Sequence, residues 1–201
     1  MEVRDVRHAY GRRQVLRGLD LDLRPGVLAG IVGENGAGKS TLLKILSGEL
    51  RPQHGTVRHG GNFGYCPQDV VLNDALTMRQ HLEFFRVARA LPDLRHAGEV
   101  MEALRLSAYA TERAGLLSGG TRQKLNLTLA LMRDPQVLLL DEPYQGFDWE
   151  TYQRFWDFAA QLRDAGRSIL VVSHLTYDAA RLDELWRLQG GALHPATAVA
   201  A

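Results

Sequence analysis

The pattern of apolar and polar residues predicts strands that alternate with helices along this chain. Residues 19–23 alternate strictly between Leu and Asp, which is typical of a half-exposed strand. Three other stretches are almost continuously apolar, namely 27–32, 137–140 and 168–172. Continuous apolar runs of this length are expected for strands that are covered on both faces of a parallel sheet. The pattern therefore predicts an α/β fold.

Apolar residues at helical spacing predict the helices. One helix follows a glycine-rich turn and uses residues 42–46. A second begins at Thr77 and Gln80, which have the spacing of a capping box, and ends at residues 91–92. Its predicted buried face holds Leu82, Phe85 and Ala88. Further helical runs are expected at 100–106, 125–132 and 149–163, and the tail at 195–201 is expected to fray.

The composition narrows the possible classes of function. The chain has 201 residues, 45% of them hydrophobic, which predicts one globular domain over residues 1–194. A formal charge of +1 argues against a dedicated nucleic-acid binder, so we expect no nucleic-acid partner. The single cysteine, Cys66, excludes an intrachain disulfide. The apolar runs are far shorter than the ~20 residues of a membrane span, and the first residues lack the apolar segment of a signal peptide.

Residues 33–40 read Gly-Glu-Asn-Gly-Ala-Gly-Lys-Ser, which fits the phosphate-binding pattern of glycine, any four residues, Gly-Lys and Ser or Thr. The glycines let backbone N–H groups turn towards phosphate oxygens, and the following helix adds its positive end. Lys39 is expected to reach the β- and γ-phosphates, and Ser40 to bind Mg²⁺. A plain glycine turn is the alternative interpretation. The flanking strand and helix favour the phosphate loop.

Two adjacent carboxylates, Asp141 and Glu142, follow the apolar run at 137–140. Ligands of open α/β sheets bind at the carboxyl ends of the strands. Asp141 is therefore expected to hold Mg²⁺, and Glu142 to orient and deprotonate the water that attacks the γ-phosphate. Alone, such a pair is more often a solvated strand end. The phosphate loop makes the catalytic interpretation the better one.

A third motif, Leu117-Ser118-Gly119-Gly120-Thr121-Arg122-Gln123, lies just before a predicted helix. With the phosphate loop it closely resembles the signature of ATP-binding cassette (ABC) ATPases, the motor subunits of ABC transporters. The resemblance implies a P-loop NTPase fold with a mostly parallel central sheet. It also implies an N-terminal antiparallel β subdomain and a small helical subdomain at about 70–120.

The resemblance also implies roles for single residues. Tyr10 is expected to stack on adenine, Gln68 to sense Mg²⁺ and the attacking water, and His174 to act as the switch histidine. Asp148 matches the loop that crosses the dimer interface in that family, where Ser118, Gly119 and Gly120 face the γ-phosphate bound by the other subunit. The resemblance also has departures: Thr121 replaces the usual Gln and Phe147 the usual Leu. The expected nucleotide-binding set is Tyr10, Gly33, Asn35, Gly36, Ala37, Gly38, Lys39, Ser40, Thr41, Ser118, Gly119, Gly120 and Asp148; the metal set is Ser40, Gln68 and Asp141; the catalytic set is Glu142, Gln68 and His174.

The function implied by the resemblance is that of an ATPase subunit. It would dimerise head to tail on two ATP molecules, with Mg²⁺, and drive a separate membrane permease at the cytoplasmic face. Residues 64–68 and 76–85 look like those of drug, antibiotic and lipid exporters, so export is favoured over import. A soluble ABC switch outside transport is the remaining alternative. The single phosphate loop and the short interval between Gln68 and Leu117 argue against that alternative.

The permease is expected to bind in a groove between Gln68 and the helix that contains Phe84 and Phe85. An apolar run, 70–72, follows Gln68 directly. Adjacent residues on a helix point ~100° apart, so only one of the two Phe side chains is expected to pack inward. The alternative is that both Phe residues and the run at 70–72 belong to the core.

Overall fold

The structure, a computed structural model, describes residues 1–69, 71–173 and 179–196. It contains nine strands and five α-helices within those ranges. In chain order they are β1 Glu2–Tyr10, β2 Arg13–Asp22, β3 Leu28–Val32, α1 Lys39–Leu46, β4 His54–Arg58, β5 Phe63–Cys66, α2 Met78–Ala88, α3 Arg95–Ala103, α4 Gly119–Leu131, β6 Val137–Asp141, α5 Trp149–Asp164, β7 Ser168–Ser173, β8 Glu184–Gln189 and β9 Ala192–Pro195. Short 3₁₀ turns lie at Ser107–Tyr109, Ala114–Leu116 and Ala179–Arg181.

The central sheet has six strands in the order β5-β6-β7-β3-β8-β9. The first five are parallel, and β9 pairs antiparallel with β8 at the edge. Strands β3, β6 and β7 are buried at every position, as their continuous apolar runs predict. Leu138 and Leu140 contact one hydrophobic core, whereas Val137 and Leu139 contact the other, so β6 separates the two cores.

The second sheet is antiparallel, with the order β2-β1-β4. It packs with α1 and with one face of the central sheet in a single core. This sheet, the mostly parallel central sheet and the helices between them confirm the predicted fold class. Leu19 and Leu21 are buried while Asp20 and Asp22 are exposed, which confirms the half-exposed strand.

The chain between β5 and α4 contains α2, α3 and two 3₁₀ turns, which pack with α4 and α5 around the other core. The predicted capping box is present. The Thr77 hydroxyl accepts from the Gln80 amide at 3.2 Å, and the Gln80 side chain accepts from the Thr77 amide at 2.8 Å. A separate helical subdomain at about 70–120 stays a prediction.

Two details of the helical region differ from expectation. Helix α2 ends at Ala88, before residues 91–92, because Ala90 takes a left-handed conformation with φ 51°. Ala88 is exposed, and the buried face of α2 is formed by Met78, His81 and Leu82, with Phe85 half-buried. Leu106 is fully buried but lies outside α3.

The C-terminal strand continues slightly further than the predicted boundary at residue 194. Pro195 pairs with Trp186, and the Ala196 amide donates to the Leu185 carbonyl at 2.8 Å. The remainder of the predicted tail, 197–201, lies outside the described residues. Among the residues that the structure describes, no helix is long and apolar enough to cross a membrane.

Candidate functional site

The glycine-rich loop connects the end of β3 to the start of α1. Gly36 and Gly38 have φ values of 78° and 106°, a backbone region that favours glycine. Lys39, the first residue of α1, is buried, and its ammonium donates to the carbonyls of Gly33 at 2.7 Å and Glu34 at 3.1 Å. The loop therefore wraps around its own lysine, next to the positive end of α1.

The two carboxylates lie at the end of β6, both buried. The Ser40 hydroxyl hydrogen-bonds the Asp141 side chain, which joins the start of α1 to β6. Burial raises the pKa of Asp141, and the neighbouring Glu142 raises it further, whereas Ser40 and Lys39 oppose the shift. Glu142 has φ 48°, which is a strained conformation for a residue with a side chain, and its amide donates to the Val172 carbonyl at 2.9 Å.

These elements surround an open cleft of about 630 Å³. The cleft brings together ten of the predicted site residues: Tyr10, Asn35, Gly36, Gly38, Lys39, Ser40, Thr41, Gln68, Asp141 and Glu142. Tyr10 is 53% exposed and makes an edge-on contact with the ring of His8 at 4.9 Å. The cleft thus contains an exposed aromatic ring together with the phosphate loop and the paired carboxylates.

Three further residues line the cleft that the sequence analysis did not identify: Arg13, Val15 and Gln145. Arg13 and Val15 lie on β2, on the same side of the strand, and Gln145 follows the carboxylates in the chain. The tight turn at 11–12 pairs Tyr10 with Arg13, and this hairpin is the signal that could have placed Arg13 beside Tyr10.

Gly33 and Ala37, which were expected to bind nucleotide, lie on the opposite side of the loop. They line a smaller depression beside residues 187–190. A Cβ at Gly33 would lie 2.7 Å from the Leu188 carbonyl oxygen, so a glycine is needed there for packing against β8. Gly33 and Ala37 contribute to the cleft by shaping the loop. Their direct contact with nucleotide stays a prediction.

The signature motif begins α4, as predicted. The Ser118 hydroxyl caps the helix by accepting from the Thr121 amide at 3.2 Å. Ser118, Gly119 and Gly120 do not line the described cleft of their own chain. A Cβ at Gly120 would lie 2.4 Å from the Gly146 carbonyl oxygen, whereas a Cβ at Gly119 would meet no described atom within 4 Å. Gly120 therefore has a packing role, and Gly119 is open to the outside.

Asp148 is the N-cap of α5. Its carboxylate accepts from the Thr151 amide at 2.8 Å and from the Thr151 hydroxyl at 3.1 Å. These bonds, with nearby Lys124, lower the pKa of Asp148. Asp148 is exposed and lies outside the cleft as the structure describes it. The remaining predicted residue, His174, lies outside the described residues.

The donor set at the junction of α1 and β6 fits Mg²⁺. A serine hydroxyl and a carboxylate already meet there, and Gln68 supplies an amide on the same cleft wall. Mg²⁺ prefers such oxygen ligands and keeps several waters or phosphate oxygens, so it needs few ligands from the protein. The described residues contain no group of three or more His, Cys, Asp or Glu side chains that could hold a metal.

A second groove, of about 390 Å³, lies beside the cleft. Pro67, Asp69, Val71, Phe85 and Arg89 are among the residues that line it. The Arg89 guanidinium lies over the Phe85 ring, 4.9 Å from its centroid. Burial of Arg89 lowers the pKa of its guanidinium, and the positive charge of Arg133 lowers it further.

The two adjacent Phe residues of α2 have different environments. Phe84 is 61% exposed, whereas Phe85 packs against the core. The expectation that one of the two faces inward is confirmed. Val71 is 90% exposed and Leu72 packs against the core, so the apolar run is divided between surface and interior. Val70 lies outside the described residues.

These features define a P-loop NTPase fold: a glycine loop joins the parallel strand β3 to a helix, and two carboxylates lie at the end of β6, which is two strands away in the same sheet. The sequence profile of the ABC transporter family matches residues 16–145. The chain belongs to this family. The recognition of the signature motif in the sequence is thereby confirmed.

The relatives of the chain include ATP-binding proteins of transporters. The Nod factor export ATP-binding protein I of Burkholderia orbicola is 34% identical, over 95% of this chain and 68% of its own length. The linearmycin resistance ATP-binding protein of Bacillus subtilis is 29% identical, over 87% of this chain and 61% of its own length. An ATP-binding/permease protein of Mycobacterium tuberculosis is 36% identical, and the chain covers 22% of that protein. The chain thus spans well under two thirds of the length of several relatives that it matches.

Solved structures support the same fold. An ATP-binding subunit of an ABC transporter has a TM-score of 0.89 and 25% identity, and it covers 98% of this chain and 89% of its own. A dimeric bacterial ABC transporter cassette also has a TM-score of 0.89, at 21% identity, and covers 100% of this chain and 99% of its own. The second similarity shows the fold alone.

Proposed function

We propose that this chain binds Mg·ATP in the cleft and hydrolyses it as the ATPase subunit of an ABC transporter. The observation that carries the proposal is the meeting, in one cleft, of Lys39, Ser40, Gln68, Asp141 and Glu142. These side chains come from three separated parts of the chain, namely the phosphate loop, the segment after β5 and the end of β6. A phosphate lysine, oxygen donors for a cation and a buried carboxylate are the groups that phosphoryl transfer to water requires.

The chemistry follows from these positions. The loop amides and Lys39 bind the β- and γ-phosphates, and Tyr10 stacks on the base at the other end of the cleft. Ser40, Asp141 and Gln68 would hold Mg²⁺, which neutralises phosphate charge when bound. Glu142 accepts the proton of the attacking water, and Gln68 orients that water. The strained backbone conformation of Glu142 fixes the position from which its side chain projects. We assign the switch role to His174 on the resemblance alone.

The signature motif supports a head-to-tail dimer on two ATP molecules. Ser118 and Gly119 are exposed at the start of α4 and lie outside the described cleft of their own chain, and we propose that they contact the nucleotide bound by a second subunit. The first amides of a helix attract anions, and the open side of Gly119 leaves them accessible. A bacterial ABC transporter cassette with the same fold is dimeric, which is a precedent for self-dimerisation. Asp148, at the start of α5, is proposed to lie at the same interface.

The second groove is proposed to receive a cytoplasmic segment of a separate permease, which would hold the chain at the inner face of the membrane. The groove begins at Pro67 and Asp69, on either side of Gln68, which lines the nucleotide cleft. A shift of this segment with nucleotide state is therefore passed directly to the groove. Exposed Val71 and the cation pair Arg89 and Arg133 suit a segment that carries apolar and acidic residues.

Export is the proposed direction of transport. Two of the relatives described above carry export or antibiotic resistance in their names. The substrate is selected by the permease in this proposal, so the cleft described above contacts nucleotide only.

Nucleotide binding is tested by Lys39→Ala, with Lys44→Ala as the matched control. Both lysines lie on α1, but Lys39 lines the cleft and Lys44 is exposed on the opposite part of the helix surface. Titration with a fluorescent ATP analogue should show strongly weakened binding for Lys39→Ala and wild-type binding for Lys44→Ala. Equal binding by the two variants would contradict the assignment of the cleft.

Permease docking is tested by the double variant Val71→Ser and Phe84→Ser, with Tyr109→Ser as the control. All three side chains are exposed. Val71 lines the second groove, and Phe84 packs edge-on against Phe85, which lines it, whereas Tyr109 lines neither the cleft nor the second groove as described. Co-purification with the permease should be lost in the double variant and kept in the control, with unchanged melting temperatures. A large drop in melting temperature with co-purification retained would refute the docking surface.

A further inference from the structure

Arg13 joins the hairpin that carries Tyr10 to the phosphate loop. Arg13 is the first residue of β2 and the direct partner of Tyr10 across the β1–β2 turn. Directly opposed residues of an antiparallel pair project from the same face of the sheet. The Arg13 guanidinium reaches the loop, where it donates to the Gly36 carbonyl at 3.2 Å. The Arg13 side chain thus starts at the strand position opposite Tyr10 and reaches the glycine loop.

The guanidinium has capacity for a further partner. It carries five N–H donors, and the described contact with Gly36 uses one of its nitrogens. Among the described residues, no carboxylate forms an ion pair with Arg13, in contrast to nearby Arg4 and Arg7. Its positive charge faces the cleft, which it lines. An arginine in this position suits a phosphate group, which it can bind through two parallel hydrogen bonds.

The order of base, ribose and phosphates along a nucleotide indicates which phosphate lies next to Arg13. If the proposed nucleotide binding holds, the base lies on Tyr10 and the terminal phosphates lie at the loop with Lys39 and Ser40. The ribose and the α-phosphate then fall between these two ends, next to Arg13. We infer that Arg13 binds the α-phosphate and selects nucleotides over nucleosides.

This contact makes a specific kinetic prediction. The α-phosphate is bound before, during and after cleavage of the γ-phosphate, so its contact stabilises ground state and transition state equally. Loss of such uniform binding raises KM and leaves kcat unchanged. Because Arg13 is exposed, we expect the affinity to fall about tenfold, which is the lower end for a charge-assisted hydrogen bond.

The test compares Arg13→Gln with Arg12→Gln, which removes the same charge from the adjacent exposed turn position. Adenosine, AMP, ADP and ATP each displace a fluorescent ADP analogue from the full chain. We expect Arg13→Gln to bind AMP, ADP and ATP about tenfold more weakly and adenosine normally. Arg12→Gln should bind all four like the wild type. ATPase assays should show a raised KM and unchanged kcat for Arg13→Gln.

Three results would overturn the inference. An equal loss of affinity for adenosine would show that the substitution disturbs the base site. A loss of affinity for ATP alone would place Arg13 at the γ-phosphate. Wild-type affinity of Arg13→Gln for all four ligands would show that Arg13 does not contact the nucleotide. A wild-type chain that binds none of the four ligands would instead refute nucleotide binding itself, and with it the basis of this inference. Thermal unfolding of both variants shows that the fold is retained.

Discussion

The two glycines of the signature motif should respond oppositely to the same substitution. A Cβ at Gly120 would lie 2.4 Å from the backbone oxygen of Gly146, so α4 and the loop that contains Gly146 must move apart. Overpacking of this kind costs about 1–3 kcal/mol. At Gly119 the added Cβ meets no described atom within 4 Å. There the substitution Gly119→Ala should raise the free energy of unfolding by a few tenths to about 1 kcal/mol, because alanine loses less backbone freedom than glycine when the helix forms.

The difference between the variants is the useful quantity. Gly119 and Gly120 begin the same helix, so the helix preference of alanine largely cancels between them. We expect Gly120→Ala to unfold with about 2 kcal/mol less free energy than Gly119→Ala. For a chain of this size that equals about 4–8 °C in melting temperature. Thermal unfolding followed by circular dichroism measures it.

The same pair separates packing from ligand contact. Gly119→Ala should have a melting temperature equal to or slightly above that of the wild type and should lose ATPase turnover, because its side chain would point towards the partner's nucleotide. Equal melting temperatures of the two variants would refute the packing argument for Gly120. Full turnover of Gly119→Ala in a stable protein would refute the proposed role of the exposed helix start.

Three further perturbations test other parts of the account. Tyr10→Ala should weaken ATP binding about tenfold, whereas Tyr10→Trp should bind normally, and equal losses would indicate a packing role. The hydrogen bonds from Thr151 lower the pKa of Asp148, so the stabilisation of α5 by the ionised cap is complete at neutral pH and is lost as the pH falls through the folded pKa. Below about pH 4 the melting temperature of the wild type should therefore decline more steeply than that of Asp148→Asn. Parallel curves would contradict this prediction. Buried His81 bonds the Thr77 carbonyl and accepts from the Asn73 amide, so His81→Ala should lose about 1–3 kcal/mol in urea unfolding, and a loss near zero would refute it.

The buried strands and the phosphate loop were predictable because their determinants are local. Strands β3, β6 and β7 are continuous apolar runs, and the loop is a short motif whose glycines set their own backbone angles. Asp141 is the last residue of β6 and Glu142 follows it directly, so the prediction of the strand end placed them as well.

Strands β1 and β4 were not predictable in this way. The register of β1 shifts between Val3 and Val6, where Asp5 adopts φ 48°, so the buried positions do not alternate along the strand. Strand β4 is exposed at four of its five positions and carries no apolar pattern. Its pairing depends on β1, which lies far away in the sequence.

The missed features of the site depend on contacts between distant segments. Arg13 contacts Gly36 across 23 residues, and Gly120 packs against Gly146. The sequence analysis assigned both signature glycines to ligand binding, because their spacing cannot show that another loop passes over only one of them. The capping bonds of Ser118 and Asp148 are local, because each is made with a residue three positions further along the chain.

The central claim is that Glu142 acts as the general base, and Glu142→Gln tests it most directly. The substitution keeps the size and shape of the side chain and removes its ability to accept a proton. Turnover of Mg·ATP at saturation should fall by about 10²–10⁴-fold, while ATP binding is retained and an ATP-bound dimer accumulates in size-exclusion chromatography. Turnover equal to that of the wild type, with no dimer in the presence of ATP, would contradict the account.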